Sequence, residues 1–446
     1  MAEIAPFRGI LYDPARVEPS RVLAPPYDVI DPPERAALAA LDPHNCVRLI
    51  LPEGGDGDAG GASRYRNAAA LLDAWTAEGV LRREARPALY RYHQVFTSPE
   101  LGPDPVTRRG FIAAVRLHRF DERIILPHER TLSGPKVDRL ELMTATRAQF
   151  SQIFTLYSDP AGESDAAFAA AEKRAPDLDG TTGDGTRHRL WRVDDPATVS
   201  RVVAILAPLR LTIADGHHRY ETMLALRDRL RAGAGGALPP RSAAAFGPMF
   251  LCNVDDPGLV VLPIHRLVFG IASFSPDDFL AGARRWFEVT PLPGRARDAG
   301  AVRAALAAAA GRPSFVAAFP GRDPALLTLG AGQDPASAGA AAGASPAVSA
   351  LDVSVLHRLV LEQMLGIDRA AQEAQRNIIY VKDTAAALER IAAGEGQVAF
   401  LMNATRVAQV VAVAEAGEFM PQKSTFFHPK IASGLVINPV RPDETL

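Results

Sequence analysis

The chain has 446 residues, more than one typical hydrophobic core accommodates, so two or three folding units are expected. Lys and Arg total 49 against 51 Asp and Glu, which argues against a dedicated nucleic-acid or membrane-surface protein and leaves room only for a local basic pocket. No uncharged apolar run approaches about 18 residues, no secretory leader pattern opens the chain, and Cys46 and Cys252 stand in no metal-binding spacing, so a reduced cytoplasmic protein is expected.

In chain order, a proline-rich passage holds Tyr27 and Asp28, and Asp31 before Pro32-Pro33 reads as the cap of a helix. The run from Asn45 to Glu53 reads as a strand, and Tyr65, Ala69, Leu72 and Trp75 recur at helical spacing. Residues 88–96 and 109–118 alternate, with Phe111, Ala113, Val115 and Leu117 on one face; they read as an antiparallel hairpin joined by a long Pro/Gly loop. A short apolar strand then delivers Pro127-His128-Glu129-Arg130, a Ser133-Gly134-Pro135 turn follows, and a charged helix carries Lys136, Asp138, Arg139 and Glu141. His128 and Glu129 do not form the HExxH zinc motif, because residue 132 is Leu.

The densest chemistry lies in Leu211 to Met223. An apolar run meets Asp215-Gly216, and Tyr220, Met223, Leu224 and Arg227 follow at the spacing of one helix face. A strand that hands over to a helix N-terminus presents unpaired amides and a positive dipole end, a site suited to phosphate. Gly216 permits a sharp turn there, Arg219 offers two parallel donors to an anion, and His217 and His218 can donate, relay protons or bind metal. The same residues also suit a solvated helix cap, since adjacent helical residues do not share a face.

Farther on, two strands flank Asp255-Asp256-Pro257-Gly258, a hairpin signal, and Ser275 caps a helix. Strands around residues 314–319 and 325–330 precede an alanine- and glycine-rich loop over residues 330–349. A helix over 353–367, a strand over 397–403 and a helix over 407–417 lead to the last motif. Gly417 to Ser424 imitates a phosphate-binding P-loop, but Gln422 replaces the second glycine, Pro421 lacks an amide, and a helix precedes it where a strand is required. Lys423, Ser424, Thr425 and Lys430 remain able to contact an anion through side chains.

Taken together, PHERT, PKVDRL, ADGHHRYET, CNVDDPGL, LPIHR and MPQKSTFFHPK resemble the bacterial and archaeal DUF1015 family over nearly the whole chain. The DGHHR turn is similar to the nucleotide-binding turn of the ParB/sulfiredoxin-like superfamily, which includes free-serine kinases. The resemblance implies a mixed α/β (α+β) fold. A ParB/sulfiredoxin-like nucleotide-binding core would occupy residues 1–235, and an added α/β half residues 236–446 would bring Lys423 to the same cleft. It also implies phosphate ligation at Gly216, His217, His218 and Arg219; Lys136, Arg139, Lys423, Ser424 and Thr425 are further candidates.

The leading expectation is a small-molecule kinase that uses ATP or ADP with Mg²⁺ and prefers free L-serine, giving O-phosphoserine. Phosphoryl transfer requires cations around the phosphates and a base near the hydroxyl. Glu129 is the expected base, with His128 beside it and Asp215 as second candidate and Mg²⁺ ligand. The alternatives are a metal-dependent phosphoester hydrolase and a nucleotide-binding regulatory module without turnover.

Overall fold

The structure is a computed structural model that describes residues 1–54, 62–131, 134–334, 344–441 and 444–446. One mixed sheet and one antiparallel sheet frame a mixed α/β protein. Nine strands form the first. Its order runs Ile125–Leu126, Leu211–Asp215, Ile153–Tyr157, Phe246–Asn253, Gly102–Arg116, Leu89–Ser98, Arg187–Val193 and Leu178–Thr181, with Ile4–Ala5 paired beside Gly102–Arg116. Alternation places Phe111, Ala113, Val115 and Leu117 in one core, under the helices Pro196–Leu206 and His217–Gly233, as the spacing predicts. Ile112 and Ala114 point into the opposite core with Tyr90, Tyr92 and Phe250. The sheet is therefore buried on both faces.

Six strands make the second sheet, in the order Phe287–Pro291, Arg322–Leu329, Ser314–Phe319, Val398–Met402, His265–Val268 and Ile378–Val381. Each adjacent pair is antiparallel. One apolar cluster runs from Phe154 and Phe250 of the first sheet through Phe427 to Phe400 and Phe315 of the second. The expected division at residue 235 does not follow the sheets. Phe246–Asn253 lies inside the first sheet between Ile153–Tyr157 and Gly102–Arg116, and the chain end returns to it through Asn438–Pro439, paired with Ala148–Gln149.

Several local expectations hold for the reasons given. Asp31 caps Pro32–Leu41 by accepting from the Glu34 amide at 2.8 Å, and Ser275 caps Pro276–Ala283. Helices Ala62–Ala77 and Gly134–Thr146 occupy their expected places; of the turn expected before the second, Ser133 lies outside the described residues.

Others are corrected. Val47–Ile50 is a short helix, not a strand, because the Asn45 side chain accepts from the Val47 amide at 2.9 Å and turns the chain. The long loop between the first hairpin strands is absent: the second strand begins at Gly102 and carries Pro103 and Pro105, which its exposed end tolerates. The Asp255–Gly258 turn forms, but its flanking strands do not pair with each other. Val260–Leu262 instead pairs with Phe426–His428 and ties the last motif to the middle of the chain. Of the alanine-rich loop, residues 335–343 lie outside the described residues, and Pro346–Ser349 is a helical turn.

A buried arginine fixes that last motif to the first sheet. The Arg108 guanidinium donates to the carbonyls of His428 and Pro429 and to the Gln94 side chain, while the Gln94 amide donates to the Lys430 carbonyl at 2.9 Å. Burial pushes the Arg108 pKa down to about 10, so it stays charged near neutrality. Arg108→Ala is expected to cost roughly 3 kcal/mol, because several charge-assisted bonds to buried carbonyls are lost together. A denaturant midpoint unchanged in that variant would show that the segment is held by other contacts.

Candidate functional site

Ile125–Leu126 and Leu211–Asp215 are parallel neighbours, with Leu126 opposite Thr212. The loops that follow them, Pro127–Thr131 and the Gly216 turn, therefore leave the sheet at the same carboxyl end, where open α/β sheets place ligand sites. His128 is fully buried between them: Nδ1–H donates to the Ile213 carbonyl at 2.7 Å, and Nε2 accepts from the Thr425 hydroxyl at 3.2 Å. Its backbone amide donates to His217 Nε2 at 3.2 Å, and its carbonyl accepts from the Met420 amide at 2.9 Å. Burial lowers the His128 pKa to about 4 and that of His217 well below its usual value, so both rings are neutral.

Asp215 ends its strand with both carboxylate oxygens engaged, one by Lys430 Nζ at 2.7 Å and the other by Arg219 at 2.6 Å. Burial opposes its charge, but Lys430 and Arg219 outweigh burial and hold its carboxyl well below the usual range. Gly216 then turns the chain at φ 94°. A Cβ at that position would meet the Arg219 guanidinium at 3.0 Å, so glycine is required twice over. No side chain caps the helix that follows. Its first intrahelical bond joins the Tyr220 amide to the Gly216 carbonyl, so the amides of His217, His218 and Arg219 precede that ladder.

Glu129 is half-buried at this helix start. Burial first, and the Asp215 charge second, raise its pKa to about 7, against the pull of Lys430, Lys423 and His218. Burial and Lys136 depress the His218 pKa, while Glu221, Asp28 and Glu129 oppose them. Lys136 pairs with Glu221, which also accepts from the Thr131 hydroxyl. The structure thus brings Lys423 of the last motif into the electrostatic range of Glu129.

Two groups of the site escaped sequence reasoning. Lys382, between the strand Ile378–Val381 and the helix Thr384–Ala392, lies with Nζ 4.1 Å from the Phe426 ring centre, and Lys430 lies 5.2 Å from the same centre. Burial, then Lys430 and Lys423, lower the Lys382 pKa. The available signal was a lysine between a strand end and the helix cap Asp383, the same local pattern as Asp215-Gly216. Asp28, in the proline-rich passage, is exposed and acts on both His218 and Lys382.

Four expected phosphate ligands are differently placed. Arg219 is buried, not at the surface: besides Asp215 it donates to the Gln152 carbonyl. Arg139 binds Asp138 and the Ile50 carbonyl and lies over the Tyr27 ring. Ser424 donates to the Pro421 carbonyl, and Thr425 to His128. Behind Arg219 and Tyr27 lies a mainly apolar pocket of about 40 Å³, room for water-sized groups only.

This is a mixed α/β scaffold with a cluster of charged side chains at the carboxyl ends of two parallel strands. Residues 4–354 match the family described as protein of unknown function (DUF1015), and the chain belongs to that family. No curated protein matches it. Similar solved structures include a free serine kinase variant in complex with AMP, at 13% identity and TM-score 0.35 over 76% of this chain and 94% of that one. A conserved hypothetical protein from Pyrococcus furiosus aligns at 13% identity and TM-score 0.34, over 76% and 97%. SbnI with a C-terminal truncation, from Staphylococcus aureus, aligns at 9% identity and TM-score 0.32, over 75% and 90%. The chemistry of this cleft rests on none of these alignments.

Arg219→Ala removes one partner of a buried pair and is expected to cost about 3 kcal/mol, the low end for such a break because Lys430 still faces Asp215. A chemical-denaturation midpoint equal to that of the unaltered chain would return Arg219 to the surface role expected from sequence.

Proposed function

We propose that this protein is a small-molecule kinase that takes ATP or ADP and transfers a phosphoryl group to a hydroxyl, free L-serine being the preferred acceptor. The observation that supports this reading most is the convergence of Lys423 and Lys430 on a carboxyl, Glu129, whose pKa is raised to about 7, with Lys382 close enough to feel both lysines. Phosphoryl transfer is served mainly by positioning and by cations around the transferring group. In this reading the nucleotide phosphates lie against the helix start at Gly216–Arg219, and Lys136 and the three lysines share their charge. Glu129 accepts the acceptor's hydroxyl proton while the new O–P bond forms and the bond to the departing nucleotide phosphate breaks. A carboxylate with a pKa near 7 is suited to that proton transfer at neutral pH.

The ParB/sulfiredoxin-like assignment of the N-terminal half belongs to this proposal, as do the phosphate roles of His217 and His218. Asp215 does not fit the Mg²⁺ role expected of it, because both its oxygens are taken by Lys430 and Arg219. Its role here is to orient Lys430, and Arg219 acts through it rather than on the phosphate.

Glu129→Gln is expected to leave nucleotide affinity nearly unchanged while serine phosphorylation falls at least about a hundredfold. In the unaltered protein kcat/KM should rise with pH through about 7, as Glu129 loses its proton, and that rise should vanish in the variant. Normal turnover by Glu129→Gln beside an inactive Asp215→Asn would move the base to Asp215. Nucleotide binding without any serine-dependent turnover would leave a regulatory module in place of a kinase.

Lys382→Ala tests the residue that only the structure brought forward. It should weaken nucleotide binding about tenfold, the effect of one charge-assisted contact, with thermal stability kept because Lys382 is exposed. Unchanged affinity in titration calorimetry would remove Lys382 from the phosphate site.

A further inference from the structure

A second cavity, of about 350 Å³, lies in the C-terminal half beside the start of the helix Val407–Ala416. That size falls at the lower end for small-molecule sites. Asp352 and Arg406 border it with opposite charges, while a third charged side chain of the wall, Arg266, is already engaged by the carbonyls of Ile264 and Lys423. The Ser314 amide and the Asn403 side chain lie beside Asp352 and favour its charged form, and among the described residues no cation forms an ion pair with it. Burial raises its pKa to about 7, although Ser314 and Arg406 pull the other way. Arg406 is exposed at the helix N-terminus, feels Asp352 electrostatically, and also forms no ion pair among the described residues. The two charges share one cavity without meeting.

The remaining wall divides by chemistry. Ile264, Leu351, Val353 and Met402 give it apolar surface, while Thr405 and Ser424 supply polar atoms. The unmatched carboxyl calls for a cation, the arginine and the helix start call for an anion, and the apolar wall calls for hydrocarbon. We propose that this cavity is a second binding site, for a zwitterion of the α-amino-acid class with an aliphatic side chain, its ammonium at Asp352 and its carboxylate at Arg406.

The inference is independent of the kinase reading, because none of these side chains touches Glu129 or Asp215. The sites are nevertheless neighbours in the chain. Ser424 lines the cavity, its carbonyl accepts from the Thr405 hydroxyl at 2.8 Å, and Arg266, also in the wall, donates to the Lys423 carbonyl at 2.8 Å. An occupant would rest against the segment that carries Lys423.

Titration calorimetry of the full chain with L-leucine tests the proposal, with isopentylamine and 4-methylpentanoate as probes that lack one charged end. L-leucine should bind, and each one-ended analogue should bind at least about tenfold more weakly. Asp352→Asn and Arg406→Ala should each weaken L-leucine by a similar factor; the second lies at an exposed position and tests the site even if the first perturbs packing. Glu129→Gln should leave L-leucine binding unchanged. Equal binding by both cavity variants, loss of binding in Glu129→Gln, or no binding of L-leucine, L-valine or L-methionine at millimolar concentration would each overturn the assignment.

Discussion

The cleft depends on one carboxylate held from two sides. Asp215 ends a central strand, Arg219 reaches back to it from the first helical turn, and Lys430 arrives from the last segment of the chain. Each partner alone would be costly in a half-dry site, since an unpaired buried charge destabilises by several kcal/mol. Together they fix the Gly216 turn, the start of the helix and the approach of the C-terminal motif. The second tie to that motif, through Arg108 and Gln94, holds the backbone of residues 428–430 and so sets where the Lys430 side chain begins.

That arrangement shapes the electrostatics of the cleft. Lys430 is neutralised by Asp215, but Lys423 acts on both Lys382 and Glu129, and the lysines crowd positive charge at one place. Like charges gathered at some cost to folding are a common mark of a site that awaits an anion. Glu129 stands between opposing influences, with burial and Asp215 favouring its proton and the cations opposing it. Its pKa near 7 is the resultant of those forces, and an arriving phosphate that neutralises the lysines would raise it further.

Legibility in the sequence followed the range of the interactions. Strand-to-helix handovers, the Asp31 and Ser275 caps and the alternating face of Phe111 to Leu117 depend on neighbours a few residues away, and they were readable. The joining of the PHER, DGHHR and QKST segments was anticipated only as a shared cleft. The ties that achieve it, Thr425 to His128 and Lys430 to Asp215, cross most of the chain and leave no local pattern. Arg219 was read as an anion ligand because it follows a strand-to-helix turn; its burial and its bonds to Asp215 and the Gln152 carbonyl make it a partner in a pair instead. The Asp255–Gly258 turn was legible, but the destination of Val260–Leu262 was not, since a turn signal fixes reversal of the chain and not the partner strand.

The same bonds weigh the phosphatase alternative against the kinase. A metal-assisted hydrolase would need neutral imidazole nitrogens and carboxylates pointing at one common centre. Here His128 uses Nδ1 on the Ile213 carbonyl and Nε2 on Thr425, His217 uses Nε2 on the His128 amide, and Asp215 uses both oxygens on Arg219 and Lys430. Recruiting them as ligands would break these contacts in a buried setting, where each unmade bond costs about 1–3 kcal/mol. Using them as they stand requires no such loss. The histidines hold two loops in register and the aspartate holds a lysine, while Lys423 stands within electrostatic range of Glu129.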